Sequence, residues 1–217
     1  MTTLVDAHGE HPLDGDALAE RVSTASRVII DVGAGDGRYA FTLAQDHPQA
    51  LVIAFDPAAD NLRETATRAA RKKNGAPNLV LLRASVETPP AALESRGSEV
   101  HVILPWGRLF EGLIEPDPRV LHGLAACTKP DGMLWIVLNA GAWDSVPQRL
   151  AGLPRPSVDV VEARMIPALR TTGFEPQEVR ALSDAECRAI NSGWARRLAH
   201  RGRVPEFVAV RAIRRTA

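Results

Sequence analysis

The sequence predicts an α/β domain in which a mostly parallel sheet carries helices on both faces. First, short β-branched apolar segments alternate with segments of helical pattern along the first half of the chain. Second, the apolar segments are continuous, as expected for strands that are buried on both faces. Third, a glycine-rich turn follows the first of them. The strand candidates are 27–32, 51–55, 78–83, 99–104, 133–138 and 207–213, and the helical segments between the first four are 37–46, 59–73 and 88–96.

Size and composition indicate one globular domain over residues 1–217. Of these 217 residues, 45% are hydrophobic and 24% are charged, which is ordinary for a globular protein. No apolar run approaches the roughly 20 residues of a membrane span, and the N-terminus lacks the basic and apolar regions of a signal peptide. Cys127 and Cys187 have neither a metal-ligand nor a disulfide spacing. We therefore expect a soluble cytoplasmic protein without a metal.

The segments outside the predicted strands have patterns of their own. Residues 1–26 form an N-terminal extension, and 139–160 is rich in proline and glycine, which predicts a loop or broken helix. A helix fits 158–172, because a glycine follows as a C-cap. Segment 183–204 opens with a Ser-Asp-Ala-Glu capping box, which predicts another helix. We interpret 139–160 and 183–204 as linkers between elements of one domain.

The net charge of zero hides an asymmetry along the chain. Residues 1–62 contain ten acidic residues and three arginines, whereas residues 188–217 contain eight arginines and one acidic residue. Such a basic segment on an acidic protein suggests a surface for a polyanion. The alternative is a solvated surface helix.

The strongest local motif is the sequence Asp-Val-Gly-Ala-Gly-Asp-Gly at 31–37, between a strand and a helix. Gly33 and Gly35 allow tight backbone angles and let a ligand approach the backbone closely. About 20 residues later the second strand ends in Asp56 and Pro57, where a carboxylate can accept hydrogen bonds from a ribose diol. The pattern predicts a nucleotide-like cofactor at this loop.

The residues in and beside the loop disfavour a dinucleotide. The G-x-G-x-x-G fingerprint requires glycine at position 38, which is Arg38. Asp31 and Asp36 would repel a pyrophosphate, whereas the sulfonium and ammonium groups of S-adenosylmethionine suit them. Two alternatives remain, a nicotinamide-dependent oxidoreductase and a structural turn without a ligand.

Two further strand ends are expected to contribute to the same site, because ligands of open α/β sheets bind at the carboxyl ends of the strands. The third strand is followed by the segment where an adenine ring would lie, Ala84, Ser85, Val86 and Glu87. The alternative is that this segment only connects the strand to the following loop and binds no ligand. The fourth strand ends in Leu104, Pro105 and Trp106.

Five segments together carry a family resemblance: DVGAGDG at 31–37, FDP at 55–57, HVILPWGRLFEG at 101–112, LN-AW at 138–143 and SGWARRL at 192–198. The first two occur in many methyltransferases, and the LPWG and W-x-R-R-L segments are more specific. The chain resembles the aminoglycoside-resistance 16S rRNA (adenine-N1)-methyltransferases of the kanamycin–apramycin type. The resemblance implies a Rossmann-like class I methyltransferase fold with a mostly parallel seven-stranded sheet, preceded by a small hairpin.

The resemblance also implies the activity, which is methylation of N1 of adenine 1408 within the assembled 30S subunit by S-adenosylmethionine. In that family an aromatic pair stacks on the flipped adenine, and Trp106 and Trp194 match it. Ser192 matches a position near cofactor and adenine, and Arg197 matches an essential arginine. The expected RNA contacts are Arg197, Arg201 and Arg203, with Lys72 and Lys73 as weaker candidates on the helix after the second strand.

Adenine N1 has a lone pair and no proton, so this chemistry requires no general base, and we expect the enzyme to act by positioning its substrates. We also expect it to be a monomer. Core packing is the alternative for both tryptophans; Cys187, Ile190 and Trp194 have the spacing of an apolar helix stripe. Two alternative functions remain. The first is a methyltransferase acting on tRNA or a small molecule, and the second is a non-catalytic ribosome-binding module.

Overall fold

The structure is a computed structural model that describes residues 2–141, 152–190 and 206–215. Its elements follow the predicted alternation. The strands are β1 (Thr3–Asp6), β2 (Gly9–Pro12), β3 (Val28–Val32), β4 (Leu51–Asp56), β5 (Leu79–Arg83), β6 (Gly97–Ile103), β7 (Thr128–Asn139), β8 (Phe174–Ala181) and β9 (Phe207–Arg214). The helices are α1 (Gly15–Thr24), α2 (Arg38–Asp46), α3 (Arg63–Ala69), α4 (Gly107–Ile114), α5 (Pro118–Cys127), α6 (Val158–Val160), α7 (Ile166–Thr171) and α8 (Asp184–Ala189).

The described strands form one nine-stranded sheet in the order β2-β1-β5-β4-β3-β6-β7-β9-β8. The five strands from β5 to β7 in this order are parallel, and β9 and β8 pair antiparallel beside them. These seven strands confirm the predicted fold class. Their carboxyl ends meet at one edge of the sheet, which we call the cofactor edge because the glycine-rich loop lies there.

The N-terminal extension belongs to the domain. Strands β1 and β2 form the implied hairpin, which joins the sheet where Thr3 pairs antiparallel with Arg83. The helix that follows begins at an Asp14 cap and packs Leu18 and Val22 into the core. Apolar side chains thus anchor this acidic segment, because their burial does not depend on the charges around them.

Each sheet face is covered by its own apolar cluster. Helices α2 and α3 pack on one face around Phe41 and Leu62. The other face packs against α4, α5 and α7, around residues such as Phe110 and Leu124. No described helix is long and apolar enough to cross a membrane.

Three elements differ from the sequence-based expectation. Strand β8 was not predicted, because the sequence FEPQEVRA is mostly polar and contains Pro176, and so lacks the continuous apolar pattern used to find the other strands. Such a composition is typical of an edge strand. The helix expected at 59–73 begins as a 3-10 turn over Ala59–Leu62 and ends at Ala69, before a left-handed Asn74. The segment 88–96 contains only a 3-10 turn at Ala91–Leu93.

The C-terminal helices were predicted more closely. A helix runs from Val158 to Thr171 with a π-turn at Val161–Met165, and Gly173 follows it with a φ of 82°. The Ser183 capping box is present, since Ser183 Oγ accepts from the Glu186 amide and the Glu186 carboxylate accepts from the Ser183 amide. This helix ends at Ala189, with Ile190 extended, and Trp194 of the predicted stripe lies outside the described residues.

Candidate cofactor and base-binding site

The glycine-rich loop follows the end of β3 and connects it to α2. The Gly33 and Ala34 amides donate to the Phe55 carbonyl at 2.9 and 3.1 Å, and the loop thereby also holds the end of β4. Gly33 and Gly35 have φ values of 70° and 57°, which side chains other than glycine rarely adopt. A Cβ on Gly33 would lie 2.5 Å from Leu109 Cδ2, whereas a Cβ on Gly35 would point into open space. The loop therefore leaves a backbone-lined cradle at Gly35.

Asp56 holds this loop in place. Its Oδ2 accepts a hydrogen bond from the Gly35 amide at 2.9 Å, and its Oδ1 accepts one from the Ala58 amide at 2.8 Å. Burial raises the pKa of Asp56, and these two amides oppose that rise by stabilising the carboxylate. Each oxygen keeps another acceptor position, so the predicted ribose contact remains available. The loop-holding role was not predicted, because it depends on a contact between residues that are 21 positions apart along the chain.

Asp31 lies at the end of β3 and is only 2% exposed. Its Oδ2 is buried and accepts no hydrogen bond from any residue that the structure describes. Burial, and then the charges of Asp56 and Asp36, raise the pKa of Asp31 to about 8. An unpaired buried carboxyl beside an open cradle fits a positively charged ligand, as S-adenosylmethionine is.

This unpaired carboxyl should cost stability in a pH-dependent way. Asp31 has a pKa of about 8 in the folded protein and an ordinary value of 3.8. Between these values the folded protein keeps a proton that the unfolded chain has lost, so stability falls as pH rises from about 4 to about 8. Asp31→Asn should therefore raise the free energy of unfolding without cofactor, by little at pH 4 and by an amount of order a few kcal/mol at pH 8, and the melting temperature should rise with it. Thermal unfolding of both proteins over this pH range measures the difference in stability. A difference that did not grow with pH would contradict the raised pKa of Asp31.

The segment after β5, where the adenine ring was expected, is partly buried: Ala84 and Val86 are buried, and Ser85 and Glu87 are half-buried. Ala84 donates its amide to the Asp56 carbonyl at 3.3 Å, and the Ser85 hydroxyl donates to the Glu87 carboxylate. Val86 is buried, and its carbonyl lies so close to Gly123 of α5 that a Cβ there would meet it at 1.7 Å. The side chain and the carbonyl of Val86 thus both pack in the core.

The end of β6 carries Trp106 to the surface. Leu104 adopts a left-handed φ of 50° while its amide donates to the Val137 carbonyl at 2.8 Å. Such a conformation costs of order 1–3 kcal/mol in a non-glycine residue and is concentrated at functional sites. After the buried Pro105, the Trp106 side chain is 39% exposed in front of α4. Core packing is therefore the wrong interpretation of Trp106.

The remaining predicted residues divide into two groups. Ser192, Trp194, Arg197, Arg201 and Arg203 lie outside the described residues. Lys72 and Lys73 are exposed, but they follow the end of α3 instead of lying on a helix, which corrects the prediction. Their turn lies at the opposite edge of the sheet, because the neighbouring Asn74 carbonyl accepts from Gln45 near the end of α2. Strand β4 separates the two edges by about 17 Å.

The sequence did not indicate a polar network beside the loop, in which a buried His101 lies between the half-buried Tyr39 and Glu99. The Tyr39 hydroxyl of α2 lies 2.9 Å from Nδ1 of His101, and Nε2 of His101 lies 3.4 Å from Glu99 Oε2. Glu99 also bonds to Arg27, and together with His101 this lowers its pKa to about 2. His101 was expected to be a satisfied structural residue, and no local pattern indicated Tyr39 as its partner. These contacts connect α2 and the glycine-rich loop before it to β6.

Comparison with known proteins reveals similarity over nearly the whole chain. The family model described as NpmA, 16S rRNA (adenine(1408)-N(1))-methyltransferase, matches residues 6–213. A protein of that description from Streptoalloteichus hindustanus is 34% identical over 178 residues, covering 81% of this chain and 82% of the relative. One from Escherichia coli is 30% identical over 202 residues, covering 91% and 92%.

Solved structures show the same similarity. The crystal structure of a 16S rRNA (adenine(1408)-N(1))-methyltransferase variant from Catenulisporales acidiphilia, with cosubstrate S-adenosylmethionine, has a TM-score of 0.89 at 36% identity. It covers 100% of this chain and 98% of the other. The 16S rRNA methyltransferase KamB has a TM-score of 0.87 at 28% identity, covering 99% and 100%.

Proposed function

Because this chain belongs to the NpmA family of 16S rRNA (adenine(1408)-N(1))-methyltransferases, we propose that it methylates N1 of adenine 1408 from S-adenosylmethionine, with the assembled 30S subunit as its substrate. Aminoglycoside resistance is the consequence we expect. The observation that carries this proposal is the pairing of two features at adjacent strand ends. The open cradle and buried carboxyl at the end of β3 suit the cofactor, and Trp106 at the end of β6 suits a base.

The chain's own residues have few chemical tasks in this reaction. S-adenosylmethionine supplies an electrophilic methyl group on a positively charged sulfur. Asp31, the backbone at Gly35 and the Asp56 carboxylate would hold the cofactor. Since adenine N1 offers a lone pair and carries no proton, no residue has to act as a base, and rate acceleration comes from holding nucleophile and methyl in line.

The target base must leave its stack before it can react, which costs a few kcal/mol. Stacking on an aromatic face is worth roughly 1–3 kcal/mol per base, so Trp106 on one side and Trp194 on the other would offset the cost. Pro105 and the left-handed Leu104 set the direction in which Trp106 leaves the sheet. Ser192 is proposed to lie beside cofactor and base.

The linkers 139–160 and 183–204 are proposed as the RNA-facing side of a monomer that works in the cytoplasm, where 30S subunits are found. Light scattering coupled to gel filtration tests the monomeric state. The substrate itself is tested by transfer of labelled methyl groups to 30S subunits, 50S subunits, naked 16S rRNA and tRNA. Label in 30S subunits with a reverse-transcription stop at adenine 1408 is the expected result. Label in tRNA alone would replace this proposal with the tRNA alternative, and cofactor-dependent label in none of them would favour a small-molecule substrate or a non-catalytic module.

Basic residues should make binding to the 30S subunit dependent on salt. We propose that Arg197, Arg201 and Arg203 contact phosphates near the target base, and that Lys72 and Lys73 contact more distant RNA. Arg197→Ala should weaken 30S binding and reduce the slope of log affinity against log salt by about 1, because one fewer counterion is displaced. Cofactor affinity should not change.

A matched control for Arg197 is Arg215, at the edge of the sheet opposite the cofactor edge. Arg215 is exposed there, and its Nη1 lies 2.9 Å from Asp131. Arg215→Ala removes one positive charge as well, but the salt slope and the methylation of 30S subunits should stay as in the unmodified protein. If both variants reduced the slope equally, the effect would reflect net charge instead of a contact at Arg197.

A further inference from the structure

Asp31 has an unusual environment for a carboxylate. It is 2% exposed near the end of β3, and its Oδ2 is buried and accepts no hydrogen bond from the described part of the chain. A buried ionised carboxylate without a partner is strongly unfavourable, and such a group usually becomes neutral instead. The protonation state of Asp31 is therefore decided by the charges that face it.

The nearest ring on the neighbouring strand is already engaged. Asp31 and His101 are direct partners in the parallel register of β3 and β6. However, Nδ1 of His101 lies 2.9 Å from the Tyr39 hydroxyl, and Nε2 lies 3.4 Å from Glu99. Nδ1 of His101 thus points to Tyr39, and Nε2 faces Glu99 without a hydrogen-bond partner among the described residues, so the ring donates no hydrogen bond to Asp31.

The other charged groups around the loop add negative charge. Asp36 from the loop and Asp56 from β4 both disfavour ionisation of Asp31. The guanidinium of Arg38 is held by Asp36 at 3.6 Å and by Glu64 at 3.1 Å. Asp56 is stabilised as a carboxylate by its two backbone amides, so of these two acids Asp31 is the one that retains a proton.

We propose that Asp31 is a neutral carboxylic acid in the cofactor-free protein and releases its proton to solvent when the positively charged cofactor binds. The O–H bond of the carboxyl breaks, its electron pair stays on Asp31, and the cofactor's positive charge neutralises the new carboxylate. Asp31 then supplies a counter-charge only to a positively charged ligand, because a neutral ligand would leave its proton in place. The inference rests on the proposed function, which supplies the cofactor.

Release of the Asp31 proton on cofactor binding makes the affinity for the cofactor depend on pH. Below the pKa of about 8 of free Asp31, each molecule of cofactor that binds must displace a proton. Affinity for S-adenosylmethionine should therefore fall about tenfold for each pH unit between pH 7.5 and 6, as linkage requires for one released proton. The cofactor's own amino group titrates near pH 7.7–8.0 as well, so the effect of Asp31 must be isolated by a variant.

Calorimetry of S-adenosylmethionine binding in several buffers at pH 7 measures the protons released. At pH 7 the binding heat of the unmodified protein should vary with the buffer's heat of ionisation by nearly one released proton per site more than that of Asp31→Asn, and this difference should approach zero at pH 9. Asp31→Asn should lose this proton, because an amide does not ionise. Asp56→Asn is the matched control, one β-strand away, and should keep the release at whatever affinity it retains.

Infrared difference spectroscopy tests the proton release in the unmodified protein, without the use of a variant. Addition of S-adenosylmethionine at pH 7 should remove the C=O band of one protonated carboxyl and add a carboxylate band. If the cofactor binds with a heat independent of buffer and with no loss of the carboxyl band, the inference is overturned while the proposed function stands. If the unmodified protein fails to bind S-adenosylmethionine at all, both are overturned.

Discussion

Trp106→Ala is expected to slow methylation of the 30S subunit by orders of magnitude while leaving the fold intact. The side chain is 39% exposed at the cofactor edge, and in the proposed role its removal would take away a stacking face and the alignment of the base together. Trp106→Phe should retain part of the activity, because a smaller aromatic face remains. Truncation of a buried tryptophan would cost about 3–5 kcal/mol of stability, and Trp106→Ala should cost much less than this.

The measurement is a reverse-transcription stop at the methylated adenine, combined with thermal unfolding and cofactor binding. Trp135 provides a matched control, because it lies within β7, half-buried, with its ring 5.3 Å from the His101 ring. Trp135→Ala should lower stability while the folded protein still produces the stop. A stable, cofactor-binding Trp106→Ala protein with an undiminished stop would refute the stacking role.

Gly35→Val is expected to abolish useful binding of S-adenosylmethionine. The φ of 57° costs a β-branched residue roughly 1–2 kcal/mol, and the side chain would project into the open space of the cradle. A bulky group in a site that a ligand must fill should weaken affinity by about 100-fold or more, which corresponds to about 2.7 kcal/mol. Calorimetric titration with S-adenosylmethionine measures this loss directly.

Gly9 separates backbone strain from blocked binding. It lies in the β1–β2 hairpin with a φ of 129°, and a Cβ there also meets nothing within 4 Å. Gly9→Val should therefore lower stability through strain and leave cofactor affinity unchanged. Equal losses of affinity in both variants would indicate that Gly35 acts through general destabilisation instead of forming the cradle.

Local patterns in the sequence determined much of this protein. The alternation of apolar strands and helices, the glycine-rich loop and the acids at the ends of β3 and β4 are all readable along the chain. The capping box at Ser183 was also predicted, because its hydrogen bonds join residues three positions apart. These features need only neighbouring residues, so the sequence alone was sufficient to indicate the fold class and the cofactor loop.

Tertiary structure alone decided how these pieces are used. It pairs the polar strand β8 with β9, turns Asp56 toward the Gly35 amide and places Lys72 at the far edge of the sheet. It also encloses Asp31 among acids while His101 is held by Tyr39 and Glu99. Burial, exposure and the protonation of a carboxyl depend on groups brought together from distant parts of the chain, and the spacing of residues along a sequence does not contain those distances.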